Sequence, residues 1–254
     1  MKGAVSLREA RERTGLRLVL LPGLPSPWSQ AAKGLLEVAG IPWLPVHRAD
    51  DDPEDLLREW TGQESYPAAI YEDEASRSGW AEILLLVDRL APEAGLVPRD
   101  EAMRARLFGY AHEICGEMGL GWCRRLMAVD AGLRADPPDP MAAWLGRKYG
   151  HRPDSAAAAP QRVVEVLEGL DALLTRSREA GGEYLLGAFS ALDVYWATFC
   201  NLVSPLPHEQ LPMPASLRPM FTAQDAPTLA ALSPALLAHR DAVYREHLGL
   251  PVEL

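Results

Sequence analysis

Leu16-Arg17-Leu18-Val19-Leu20-Leu21-Pro22-Gly23-Leu24-Pro25-Ser26-Pro27-Trp28-Ser29-Gln30 is an apolar run that halts at a Pro/Gly turn and restarts as a helix. The run is rich in strand-compatible residues, and Ser26-Pro27 is a helix start: serine is a favoured N-cap, and proline at the first helical position gives up no hydrogen bond. The helical pattern continues through Ala31 to Ala39 and stops at Gly40, a candidate left-handed C-terminal residue. Strand, turn and helix in this order place the Ser26 hydroxyl at a helix N-terminus, where the backbone dipole favours an anion. The plain alternative for Ser26 is an N-cap whose oxygen accepts from a first-turn amide. Ser29, one turn on, is a second candidate.

Working outward, short strand-type runs at Trp43 to Val46 and Ala68 to Tyr71 alternate with helical patterns around Leu56 to Trp60 and Ala81 to Leu90. Strand–helix–strand order predicts a parallel βαβ unit with a small addition. After Pro98 the pattern is helical throughout, with breaks at Gly116 to Gly121, Asp136 to Pro140 and Gly181-Gly182. Apolar residues from Val163 to Leu174 recur on one helical face, so a helix is expected over Pro160 to Arg178. Ser190 and Asp193 have capping-box spacing, and the almost wholly apolar segment behind them reads as a helix buried at the centre of a helical domain. The expected organisation is a lead-in over residues 1–15, a mixed α/β domain over 16–92, a linker over 93–98 and an all-helical domain over 99–254.

The net charge of −10 argues against a nucleic-acid partner and does not favour an anionic membrane surface. Acid concentrates between Asp50 and Glu74, which reads as a solvated face. No apolar run approaches the roughly 20 residues of a membrane span. The mixed charges of Met1 to Arg17 suit an amphipathic lead-in better than a signal peptide. Three cysteines, Cys115, Cys123 and Cys200, form no CxxC pair; an odd count points to reduced thiols and a cytoplasmic setting. His112, Glu113, Cys115 and Glu117 crowd one helix, but two ligands at i,i+3 on one face do not make a closed zinc site, so no metal is expected. Trp28, Trp122, Trp144 and Trp196 read as core or pocket walls.

Four local features together resemble the cytosolic glutathione transferases. They are Ser26-Pro27-Trp28-Ser29 as an active-site helix start, Tyr66-Pro67 before Ala68-Ala69-Ile70 as a cis-proline before a strand, Ile83 to Pro92 as a third helix and domain exit, and Tyr184-Leu185-Leu186-Gly187 with Phe189-Ser190-Ala191-Leu192-Asp193 as the motif before a central helix. The resemblance implies a thioredoxin-like N-terminal domain, an all-helical C-terminal domain and a homodimer. It implies glutathione as co-substrate, with its thiolate attacking a small electrophile. Ser26 would then donate a hydrogen bond to the sulfur anion. Lowering a thiol pKa by two units needs about 2.7 kcal/mol. A helix N-terminus at about 0.3–2 kcal/mol and a hydrogen bond to a charged acceptor at about 1.5–3 kcal/mol together supply that.

By the same resemblance Trp28, Tyr66, Pro67, Ser78 and Trp80 would contact glutathione, with the Tyr66 backbone facing its cysteinyl part. Arg104, Phe108, Ala111, His112 and Cys115, at helical spacing, would line the electrophile pocket. Gly79-Trp80 stand where the family carries a Glu/Gln-Ser pair for the γ-glutamyl carboxylate; Ser78 is positioned to cap that helix and Arg77 to pair with a carboxylate. This departure admits two rival readings: a binding or structural protein that keeps the fold without glutathione, and an enzyme of this fold with another ligand stacked on Trp80. Thiol–disulfide exchange is disfavoured because no cysteine starts the first long helix.

Overall fold

The computed structural model describes residues 3–254. Four strands, β1 (Val5–Ser6), β2 (Leu16–Val19), β3 (Trp43–His47) and β4 (Ala68–Tyr71), form one sheet in the order β1-β3-β2-β4. β2 and β3 run parallel, joined across helix α2 (Pro27–Val38), and β4 pairs antiparallel to β2. The anticipated βαβ unit is therefore present. β2 lies between two neighbours, and all four of its residues are buried, which explains why it reads as a continuous apolar run. Helix α2 ends as expected, with Gly40 in the left-handed region at φ +64°. The Tyr66–Pro67 bond is cis.

The N-terminal stretch is more than a lead-in. Val5 pairs with Val46 in β1, and helix α1 (Leu7–Arg11) buries Leu7 and Ala10 against Leu57 and Val46. Asp52 caps that helix: its carboxylate accepts from the amides of Leu7 (3.1 Å) and Arg8 (3.3 Å) and also from Ala49 (2.8 Å). Asp52 is thus 5% exposed and departs from the solvated face expected of its neighbours. Helix α3 (Leu56–Thr61) and helix α4 (Trp80–Leu90) complete this half.

Beyond Tyr71 the described residues contribute helices and isolated bridges: α5 (Glu101–Cys115), α6 (Leu120–Leu133), α7 (Pro140–Lys148), α8 (Pro153–Glu179), α9 (Ala191–Cys200), α10 (Ala226–Ala231) and α11 (Pro234–Val243). Helix α8 starts at Pro153 rather than Pro160. Pro160 sits within its second turn, where a missing N–H forfeits one backbone bond while Ala156, Ala159 and Val163 keep the apolar face continuous. All ten residues of α9 are buried. Its capping box forms as read: Ser190 Oγ accepts from Leu192 N, and Asp193 accepts from Ser190 N. Sheet and helices share one core, in which Leu18, Leu35 and Ile83 meet Leu107, Trp196 and Phe199. The connecting residues Leu96 and Val97 are buried, and the Leu96 carbonyl accepts from Ala191 N at the head of α9 (2.9 Å). Among the described residues no helix is long and apolar enough to cross a membrane, and no cluster of three His, Cys, Asp or Glu could hold a metal.

Candidate functional site

Ser26 precedes the first turn of α2 with φ −58° and ψ 118°, and its side chain makes no capping hydrogen bond. The plain N-cap reading therefore does not hold. No first-turn amide donates to its oxygen. Ser26 lines a cavity of about 230 Å³ between the start of α2, helices α6 and α7, and the short 3₁₀ turn Arg218–Phe221. Leu24 and Trp28 form one wall; Ala128, Val129, Ala142 and Leu145 form another; Met220 and Phe221 close it. Met141 and Met220 stand exposed at its margin. Two arginines, Arg124 and Arg125, are its cationic groups.

Trp28 joins four helices. Its Nε1 donates to the Cys115 carbonyl at the end of α5 (3.0 Å), and its ring meets Phe199 of α9 edge-on at 4.9 Å. Gly121 in α6 makes that approach possible, because a Cβ there would lie 2.4 Å from the Phe199 ring and 2.9 Å from Trp28. Ser29 is 2% exposed, its Oγ has no hydrogen-bond partner, and it lines neither this cavity nor the narrow gap behind Trp28.

That narrow gap lies among Trp28, Pro67, Ser78, Trp80 and Tyr195, and its roughly 10 Å³ is about what one water needs. So Pro67, Ser78, Trp80 and Trp28 do come together. Tyr66 does not join them: its side chain packs on the opposite cluster with Leu7 and Val46, and burial raises its phenol pKa. No hydrogen bond within the described residues engages the Tyr66 amide or carbonyl. Trp80 is a packing residue, edge-on to Tyr195 at 5.7 Å and tilted against Phe108 at 6.1 Å. The Tyr195 hydroxyl donates to the Trp80 carbonyl (3.1 Å).

At the head of α4, Gly79 is the cap and Ser78 makes no capping bond. The Glu82 carboxylate folds back over this turn so closely that a Cβ on Gly79 would lie 1.7 Å from its Oε2. A side-chain carboxylate already sits where the resemblance places a ligand carboxylate, and the helix dipole favours it there. Arg77 is engaged elsewhere, with Glu74 at 2.6 Å.

The α5 residues expected around the electrophile lie away from the open cavity. Arg104 pairs with Asp88 (3.6 Å) and covers Phe108, Ala111 and Cys115 are buried, and His112 is exposed beside Trp80. Trp80 closes that flank, so the opening falls on the α6–α7 side instead. Arg124, Arg125, Met141 and Leu145 were missed because α7 meets α6 only after the Asp136 to Pro140 turn brings it back. The Arg-Arg pair behind Trp122 was the signal available.

The three thiols are buried. Burial pushes Cys123 to about 11, Cys200 to about 12 and Cys115 well above the ordinary thiol range. A raised folded-state pKa gives stability that is complete below the unfolded value of about 8.5 and lost as pH rises through the folded values. The melting temperature should therefore hold between pH 7 and 8.5 and fall progressively above about pH 9, with all three thiols unreactive to Ellman's reagent at pH 8. Rapid native-state labelling of even one thiol would contradict this.

No protein-family model and no curated protein sequence matches the chain. Solved structures do. A glutathione S-transferase from Methylobacillus flagellatus with glutathione bound aligns over 91% of this chain and 96% of its own, at TM-score 0.64 and 16% identity. Glutathione transferase Omega 3C from Trametes versicolor aligns over 95% and 90%, at TM-score 0.56 and 18% identity. A beta-etherase from Sphingobium aligns over 90% and 99%, at TM-score 0.55 and 17% identity. The chain thus has the glutathione-transferase fold, with a thioredoxin-like N-terminal half and a helical C-terminal half.

Proposed function

We propose that this protein is a glutathione-dependent transferase in which Ser26 stabilises the attacking thiolate. The observation that carries the reading is a hydroxyl without an internal partner, at the head of a 12-residue helix, on a residue that lines an apolar cavity. Glutathione would lie across the outer face of Ser26, Pro67 and Ser78, pairing its cysteinyl part with the unengaged Tyr66 backbone. Its thiol loses a proton to solvent, Ser26 Oγ–H donates to the sulfur anion, and sulfur bonds to the electrophilic carbon as the leaving group departs with its electron pair. The cavity beside Ser26 holds the electrophile's apolar body. A cytoplasmic setting and a second copy of the chain as dimer partner belong to the same reading.

The carboxylate of Glu82 and the ring of Trp80 support a second reading, a glutathione-independent binder of an apolar ligand. Melting with glutathione separates the two. A ligand at one hundred times its dissociation constant stabilises by about 2.7 kcal/mol, so 5–10 mM glutathione should raise the melting temperature by several degrees. Glu82→Ala should enlarge that shift by removing a like charge from the head of α4. No shift in either protein would leave the second reading standing.

A further inference from the structure

Arg125 is held in an unusual way for a cation. Its guanidinium carbon lies 4.2 Å from the Trp28 ring centroid and 4.1 Å from that of Tyr149, with Trp122 at 5.6 Å. Three rings therefore surround the guanidinium, two of them at stacking distance. Among the described residues it has no ion pair, and no hydrogen bond engages its N–H groups. Burial disfavours its charged form, with no carboxylate in contact to offset this. Guanidinium groups nevertheless stay charged in proteins.

Stacking constrains the faces of a guanidinium and leaves its edge, a planar fork of N–H donors that matches a carboxylate in two parallel bonds. Arg125 lines the cavity that Ser26 opens on. The neighbouring cation is partly engaged, since Arg124 Nε donates to the Leu202 carbonyl (2.9 Å). The acid on the wall, Asp139, accepts from Met141 N at the head of α7 (2.9 Å). An unpaired cation thus stands in an apolar cavity where attraction to an anion is weakly screened.

We propose that Arg125 is the specificity-determining residue of this cavity and that its ligand is a monocarboxylate on an aromatic or branched apolar body. The carboxylate takes the guanidinium edge, and the body packs against Leu145, Met141, Met220 and Phe221. A planar monoanion suits one stacked fork, whereas a phosphate dianion would sit less well beside Asp139 in a chain of net charge −10. As the acceptor substrate of a transferase this rests on the reading above; as a binding site it stands without glutathione.

The test uses 4-chloro-3-nitrobenzoate and its methyl ester, titrated by calorimetry into the full chain without glutathione. The wild-type protein should bind the acid about ten-fold or more tightly than the ester, and 0.5 M salt should narrow the gap. Arg125→Met should bring acid and ester within two-fold of each other, and Arg125→Lys should keep part of the preference. A purely structural stack would instead weaken both ligands equally. Circular dichroism verifies that the variants fold, and the wild-type comparison stands even where they do not. Equal binding of acid and ester by wild type, or a preference that survives in folded Arg125→Met, overturns the proposal. Absence of a glutathione melting shift sinks the transferase reading and leaves this site intact.

Discussion

Replacing Ser26 by alanine should lower kcat for conjugation of glutathione to chlorodinitrobenzene about ten- to a hundred-fold while KM for glutathione changes little. The range follows from one hydrogen bond to a charged sulfur, about 1.5–3 kcal/mol. The bond exists only once the thiolate forms, so its loss belongs in the rate and in the pH profile. In the wild-type protein the bound thiol should ionise below its ordinary value near 8.5. Without the hydroxyl the rising limb of kcat against pH should move up by about one to two units. Turnover and pH profile unchanged in Ser26→Ala would remove Ser26 from the chemistry. Ser29→Ala provides the contrast. Its Oγ is buried without a partner, so its removal should raise stability by up to about 1 kcal/mol.

Asp193→Ala should destabilise the protein by about 3–5 kcal/mol, which lowers the melting temperature by roughly 10 °C. Asp193 is fully buried at the head of α9. It accepts from Leu185 N (3.0 Å), Ser190 N (2.9 Å), Ser190 Oγ (3.1 Å) and His239 Nε2 (2.8 Å). Truncation leaves donors from three segments unpaired in a dry interior and opens a hole beneath the central helix. A loss below 1 kcal/mol by urea denaturation would show that water enters and replaces these bonds. His239, which carried no assignment by sequence, is structural: it ties α11 to the head of α9.

Residues whose roles depend on near neighbours in the chain were legible. Ser190 and Asp193 are three apart and declare a cap; Pro27 and Gly40 bracket a helix; the run at Leu16 declares a strand. Residues whose roles depend on distant segments were not. Asp52 looks like one more acid in an acidic stretch until α1 arrives above it. Arg104, Phe108 and His112 share a face with Ala111 and Cys115, yet Trp80 closes that face from another helix.

By itself the sequence left out β1 and α1 but determined the βαβ unit, the helical character of the chain beyond Pro98, the cap of the central helix and the placing of Ser26 at the head of α2. These follow from periodicity, proline and glycine geometry and short-range hydrogen bonding, which act within a few residues. Only the tertiary structure decided which way the cleft opens. Trp80 narrows the gap on one side of the α2 helix start, while α6 and α7 leave a cavity on the other, with Arg125 held between Trp28 and Tyr149. Side chains some hundred residues apart compete there for the same volume, and close packing, which no local pattern encodes, settles which of them yields.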